Sequence, residues 1–489
     1  MKRVFLFYIF LLIVTGLHAQ QADSLYAFND SSRIAKHPWR AAIQTAALNV
    51  GVWGFDRYVM NEEFAKISLS SIGHNLKNGF VWDNDKFSTN LFAHPYHGGL
   101  YFNSARSNGL SFWESAPYAF AGSLMWEICA EKEPPAINDF LATSIGGTAL
   151  GEVTHRLSSL VLDDSKSGSS RFFRELLGTI ICPSRGLNRL ITGDAWKVKH
   201  SYYKHHDYET LPVKFTATFG DRYLANNNNL FQGSNSPYVE FDVTYGDPLQ
   251  ETTNQPFDFF SFSTTFNLIG KQPLIGSVNL TAKLLGKYLE PVKGHKMMIG
   301  LFQHFDFYDS ESVIDGSGYI PFKISEAAAF GPGMIYQFPA ATKVTIRQSS
   351  YLNAILVGGS LTDHYNVIDR NYNMGSGFSI KSNTFIDFGR YGNFNLNLQH
   401  YRIFTWKGYD GEALKDMTPD DLLYLNAQGD KGNVQLSIVN PTMGINLSPK
   451  YKVSLGFYYY MRNTHYTDTK LTDVSSQTFE TRLGLRYTF

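Results

Sequence analysis

Glu152 and His155 stand three residues apart in a stretch, 138–160, whose apolar positions keep helical spacing. The two side chains therefore share one helix face. Such a Glu-x-x-His pair holds carboxylate-bridged metal pairs inside helix bundles. Glu127, on a preceding helix at 112–131, could add a second carboxylate, and His94 and His97 could add nitrogen ligands. On that reading Glu127, Glu152 and His155 are the candidate acid–base group. His94, His97, Glu152 and His155 are the candidate metal ligands. Bundle sites use two Glu-x-x-His pairs, however, and only one is found here. The plainer reading makes Glu152, His155 and Arg156 hydrogen-bonded pairs between packed helices, because buried charges are normally paired. It expects Glu152→Gln to keep most of the stability. No cofactor is specified: the glycine-rich runs lack a phosphate-loop lysine, and no G-x-S-x-G elbow occurs. His200, His205 and His206 could bind a metal, but the plainer reading is a basic anchor by the barrel mouth.

The elements that must position these groups come from the front half. A helix opens at Pro38, where a missing N–H does no harm, and runs to about Tyr58. Residues 62–111, with His94, His97 and Arg106, read as loop-rich. The pair Pro134-Pro135 forces a turn between the helices at 112–131 and 138–160, with Asn138 as N-cap and Asp139 against the helix dipole. Ser144, Gly147, Gly151 and Ser158 line one side of the second helix. Folding the hairpin sets Gly122 and Ser123 opposite Gly147, and Ala119 opposite Gly151, so small faces small. Residues 163–206 carry no strand; 172–181 reads as a short helix stopped by Pro183.

From Val213 the period changes to two. Val213, Phe215, Ala217 and Phe219 alternate with Lys214, Thr216 and Thr218, and similar runs recur to the end. Turn-rich segments, among them residues 464–476, separate them. The last run, QTFETRLGLRYTF, sets Phe479, Leu483, Leu485, Tyr487 and Phe489 on one face and Glu480, Arg482 and Arg486 on the other. A greasy face and a charged face on the closing strand suit a barrel wall between lipid and lumen. Residues 1–19 have the charged, apolar and small-residue regions of a secretory signal, too short to span a bilayer. With 43 basic and 43 acidic residues the chain has no basic surplus for nucleic acid. Cys129 and Cys182 could pair in an oxidising compartment or stay as two thiols.

The front half resembles a family of Gram-negative proteins catalogued as a domain of unknown function (3943). The residues that carry the resemblance are Phe80-Val81-Trp82-Asp83, His94-Pro95-Tyr96-His97-Gly98, Ala105-Arg106-Ser107-Asn108-Gly109, Gly122-Ser123-Leu124-Met125-Trp126-Glu127, Asn138-Asp139 and Gly146-Gly147 with Gly151-Glu152. It spans about residues 37–195, and it implies an outer-membrane protein with a barrel behind this domain. It implies no activity.

The expected architecture is α+β: signal peptide 1–19, flexible N-terminus 20–36, helical domain 37–206, and an antiparallel transmembrane β-barrel of about twelve strands over 207–489. The expected function is structural, binding or transport, with the helical domain as a plug or mouth domain. The alternative is a membrane-embedded enzyme acting on lipid or envelope glycolipid. The expected partners are outer-membrane lipid and the barrel-assembly machinery, which would read the strand ending in Phe489.

Overall fold

The computed structural model describes residues 35–82, 85–198, 211–226, 229–250, 255–313, 319–339, 343–364, 371–408, 418 and 429–489. The signal segment, most of the flexible N-terminus, and His200, His205 and His206 lie outside the described residues. Two compact units result, one of helices and one of strands.

The helical unit contains α1 (Pro38–Phe55), α2 (Leu69–Asn78), α3 (His94–Arg106), α4 (Phe112–Cys129), α5 (Ile137–Leu141), α6 (Gly147–Val161), α7 (Gly168–Ile181) and α8 (Pro183–Thr192). A wide turn at Ala142–Gly146 joins α5 to α6 without a break, so the helix expected at 138–160 is continuous but bulged. Pro183 ends α7 and also opens α8, a helix that the spacing did not suggest. The larger correction is α3. It lies inside the stretch expected to be loop-rich, yet between Gly98 and Arg106 every residue but Leu100 is buried.

α3 also takes the place assigned to α4 against the small-residue stripe. A Cβ on Gly147 would stand 2.5 Å from the carbonyl carbon of Gly98, and one on Gly151 3.2 Å from the Cα of Gly99. Gly122 faces the Tyr101 ring instead of Gly147. The two backbones approach this closely only because four glycines meet. Gly147→Leu should therefore destabilise the helical unit by about 1–3 kcal/mol through overpacking. Limited proteolysis should show earlier cleavage there, with the heat-modifiable gel mobility of the barrel unchanged; an unaltered cleavage pattern would refute the contact.

Asn138 is not the N-cap. Ala136 holds that position, and Asn138 is buried inside the first turn, donating to Asp139 Oδ1 at 2.7 Å. A carboxylate from α4 meets the start of the hairpin instead: Ala136 N–H donates to Glu127 Oε2 at 2.8 Å. Cys129 is exposed and Cys182 buried, and both are free thiols. Burial pushes the Cys182 thiol up to about 11.

The strand unit is a closed barrel of β1 (Val213–Asn226), β2 (Asn229–Tyr245), β3 (Phe260–Asn267), β4 (Ile275–Leu289), β5 (Lys296–Asp309), β6 (Lys323–Gln337), β7 (Thr345–Leu361), β8 (Tyr372–Asp387), β9 (Gly392–Thr405), β10 (Gly432–Asn446), β11 (Tyr451–Tyr466) and β12 (Val474–Thr488). Neighbours are antiparallel, and β1 closes on β12 from Thr216↔Thr488 to Leu224↔Glu480. Side-chain parity assigns the faces. On β12, Leu483 and Leu485 are 58% and 47% exposed, whereas Glu480 and Arg482 are 0% and 6%; the charged parity is the lumen. The turn expected at 464–476 is narrower, since β11 runs to Tyr466 and β12 starts at Val474. Val213 and Thr488 share one end, the near end; Asp309, Lys323, Thr405 and Gly432 lie at the other, the far end.

Residues 85–92 group with the strands and not with the helices that flank them in sequence. The helical domain drawn at 37–206 is therefore interrupted.

Candidate functional site

In the helical unit the predicted polar residues do lie inward: Glu127, Glu152 and His155 are 1%, 0% and 2% exposed. The described partners of the three differ. Glu152, on α6, accepts from Arg106 of α3 through Nε at 2.7 Å and Nη2 at 3.1 Å, and from Arg156 Nε at 2.8 Å. Arg106 Nη1 also donates to the Leu110 carbonyl at 2.6 Å, tying the end of α3 to the next loop. One carboxylate thus serves two buried guanidiniums. Glu127 is committed to the Ala136 N–H. The His155 backbone carbonyl accepts from Arg185 Nη1 at 3.0 Å.

The two histidines of α3 are separately placed. His94 Nε2 stands 3.9 Å from Asp139 Oδ1. His97 packs its ring 4.6 Å from that of Tyr101 and 5.2 Å from that of Trp126. Burial, helped by the neighbouring His94, holds the His97 imidazole far below its ordinary range, at about 3. Among the described residues no group of three or more His, Cys, Asp or Glu side chains is placed to hold a metal ion. Sequence reasoning also missed a four-residue network. Asp164 pairs with Arg171 at 2.6 Å and Arg189 at 2.5 Å, and Glu175 pairs with the same arginines at 2.9 and 2.8 Å. Only Arg171 and Glu175, at helical i,i+4 spacing, carried a sequence signal.

The lumen holds the second concentration of chemistry. Towards the near end, Leu249 and Phe259 from the β2–β3 connection pack against Met298, Phe302 and Ile335, with Tyr351 alongside. Towards the far end, Phe322 stacks on Tyr460 with ring centroids 4.1 Å apart, in a cluster with Ile324, Ile355, Ile403 and Ile438. Between the two apolar layers lies a charged one. Lys381 Nζ meets Asp306 Oδ2 at 2.5 Å and pairs with Glu326. Tyr401 donates to Asp306 Oδ2 at 2.5 Å and Asn279 to Oδ1 at 2.9 Å. His304 Nδ1 stands 3.3 Å from Lys381 Nζ, so that nitrogen is the acceptor and Nε2 carries the proton. Among the described residues, His304 Nε2, Glu326 Oε2 and Asn353 Oδ1 are buried without a hydrogen-bond partner.

Strands β12, β1 and β2 continue the charged layer. Arg482 donates to Glu480 at 2.5 Å and to Glu240 at 2.9 Å, while Arg486 reaches Glu240 at 3.1 Å and Asp242 at 3.2 Å. The Arg482 guanidinium lies 4.4 Å from the Tyr458 ring centroid. At the far-end rim, Arg462 binds Asp363 in a fork, with Nη1 at 2.7 Å and Nη2 at 2.5 Å. This joins the β7–β8 connection to β11.

Residues 79–184 match the family described as Domain of unknown function (DUF3943). The DUF3943 segment is narrower than the 37–195 read from the sequence. It includes α3 to α7 and the whole Arg106–Glu152–Arg156 triad, and it begins just before residues 85–92. No curated protein matches the chain. Among solved structures, the NanC porin is similar at 8% identity and TM-score 0.27, over 55% of this chain and 98% of its own. OmpT of Vibrio cholerae, in a form lacking loop L8, gives 9% and 0.21 over 57% and 100%. The toluene transporter TodX of Pseudomonas putida gives 6% and 0.21 over 56% and 88%. The superpositions are loose, and what those proteins carry is theirs.

Proposed function

We propose that the protein resides in the outer membrane as a barrel whose lumen is a closed, gated conduit for small polar solutes. The observation that carries this reading is the Lys381–Asp306–Glu326 cluster, which lies in the lumen between two apolar clusters. An apolar constriction stops water and ions by dewetting, while a lined polar layer between two such constrictions gives a solute somewhere to rest. Outer-membrane residence is supported by the exposed apolar parity of the wall, for example Phe219, Leu352, Ile380, Met443, Leu455 and Leu483. The terminal strand ending in Phe489 is the element we assign to recognition by the assembly machinery. Catalysis draws no support from the helical unit, because Glu127 and Glu152 are both occupied in holding helices together.

Conductance in planar bilayers tests the gate. The wild type should be silent, and so should Phe322→Ala/Tyr460→Ala or Leu249→Ala/Phe259→Ala, because each leaves one seal intact. Combining all four should give steady ohmic conductance. A wild type that conducts steadily would sink the closed lumen. A folded, heat-modifiable combined variant that stays silent would sink the gate.

A further inference from the structure

Residues 85–92 meet the barrel on its outer wall. Tyr372 and Met374 share parity on β8 with Phe378 and Ile380, which are 38% and 48% exposed; Phe307 shares parity on β5 with the exposed Ile299 and Leu301. These outward residues are the ones the segment touches. Phe87 stacks on Phe307 at 5.2 Å and stands edge-on to Tyr372 at 5.3 Å, and Phe92 lies 5.5 Å from Phe307. Asn90 Nδ2 donates to Tyr372 Oη at 2.8 Å, and that hydroxyl donates in turn to the Asp85 carbonyl at 2.6 Å. Leu91 occupies the space over Gly359 of β7, where a Cβ would find its Cδ1 at 2.3 Å. The contacts gather on the half of β5–β8 nearest the far end.

The same sector carries an ion pair. Lys323 Nζ meets Asp309 Oδ1 at 2.5 Å, with side chains 4% and 8% exposed, and the Phe87 ring lies 5.6 Å from the ammonium. Lys323 is two residues of one parity from Ser325, which pairs with the outward Gly359. A lysine on a lipid-facing barrel position costs up to about 2–4 kcal/mol, depending on depth. Here an aromatic ring, the buried Asp309 carboxylate and the half-exposed Glu311 carboxylate at 3.2 Å surround it instead.

We propose that residues 85–92 are a clamp on the outer wall, and that this sector of β5–β8 faces the chain's own polypeptide rather than lipid. The clamp gives the opening part of the DUF3943 segment a physical role. Its aromatic anchors fill the wall's grooves, Asn90 fixes the register, and Gly359 is the notch for Leu91. The inference does not depend on whether the lumen opens.

Cross-linking in intact outer membranes tests it, in the full chain with Cys129→Ser and Cys182→Ser and a protease site placed at residues 199–210. Leu91→Cys with Gly359→Cys, treated with a short bis-maleimide, should keep the two proteolytic fragments joined on a denaturing gel. If Gly359→Cys fails to assemble, Asn90→Cys with Tyr372→Cys gives the same readout. Fragments that separate after both thiols have reacted overturn the proposal. Separately, Phe87→Ala/Leu91→Ala should lower the temperature at which heat-modifiable mobility is lost by about 5 °C or more, because the ion pair loses its cover. An unchanged temperature overturns the shielding role.

Discussion

Glu152→Gln is expected to destabilise the helical unit by about 3–5 kcal/mol, the range for breaking a buried ion pair by removing one partner. The carboxylate is the shared acceptor of Arg106 and Arg156, whose side chains are 3% and 2% exposed. An amide could accept one of these bonds, but its NH2 would point at a guanidinium, and the negative charge that both buried arginines share would be gone. The reading of Glu152, His155 and Arg156 as hydrogen-bonded pairs expected Glu152→Gln to keep most of the stability; it did not include the two bonds from Arg106. Urea titration of the detergent-solubilised protein, followed by limited proteolysis of the helical unit, measures the loss. A midpoint within experimental error of the wild type would mean that Glu152 does not hold the arginines.

Acid should weaken the same unit through His97. In the folded unit burial keeps its imidazole neutral down to about 3, against an ordinary value of 6.5. Between these values the unfolded chain binds a proton that the folded chain refuses. The contribution of His97 is therefore fully present above about 6.5 and is lost as pH falls, at about 1.4 kcal/mol per pH unit. From pH 6.5 to 4.5 the loss is about 2 kcal/mol. His97→Phe, which keeps a ring between Tyr101 and Trp126, should flatten that dependence. Urea midpoints of wild type and variant at pH 7.5 and 4.5 decide it; parallel changes would assign the acid sensitivity to other groups. Glu114, held down to about 2 mainly by Lys36, contributes stability that is present above the ordinary carboxylate value and is lost as pH falls below it, equally in wild type and His97→Phe, so it does not confuse the comparison.

What was legible depended on which face was allowed to be simple. β12, with exposed Leu483 and Leu485 against buried Glu480 and Arg482, shows its alternation plainly. β5 and β6 do not, because their lumen parity carries Met298, Phe302 and Ile335, so both faces are apolar there. Register shifts compound the problem. Counting by twos from Ile335 sets Ser325 inside and Glu326 outside; the irregularity between Glu326 and Ala329 reverses this and turns Glu326 to Lys381. α3 is hidden for another reason. Its Gly98-Gly99 pair reads as a helix breaker, and the compensating backbone contact comes from Gly147 and Gly151, some fifty residues later. The Glu152 partner is equally remote: Arg106 reads as structural but lies in a stretch that reads as loop, so only Arg156 could be paired by spacing.

The seam between β1 and β12 has a kinetic side. β1 is the first strand made and β12 the last, yet they are partners, from Thr216↔Thr488 to Leu224↔Glu480. The barrel's contact order is thereby raised by its closing step, and non-local pairing of this kind folds slowly. Until the final strand arrives, one ladder edge of β1 presents open N–H and C=O groups to any other extended chain. A truncated product that stops short of β12 would therefore be a sticky, open sheet, and the time spent in that state sets the demand on whatever shields the chain before it reaches the membrane.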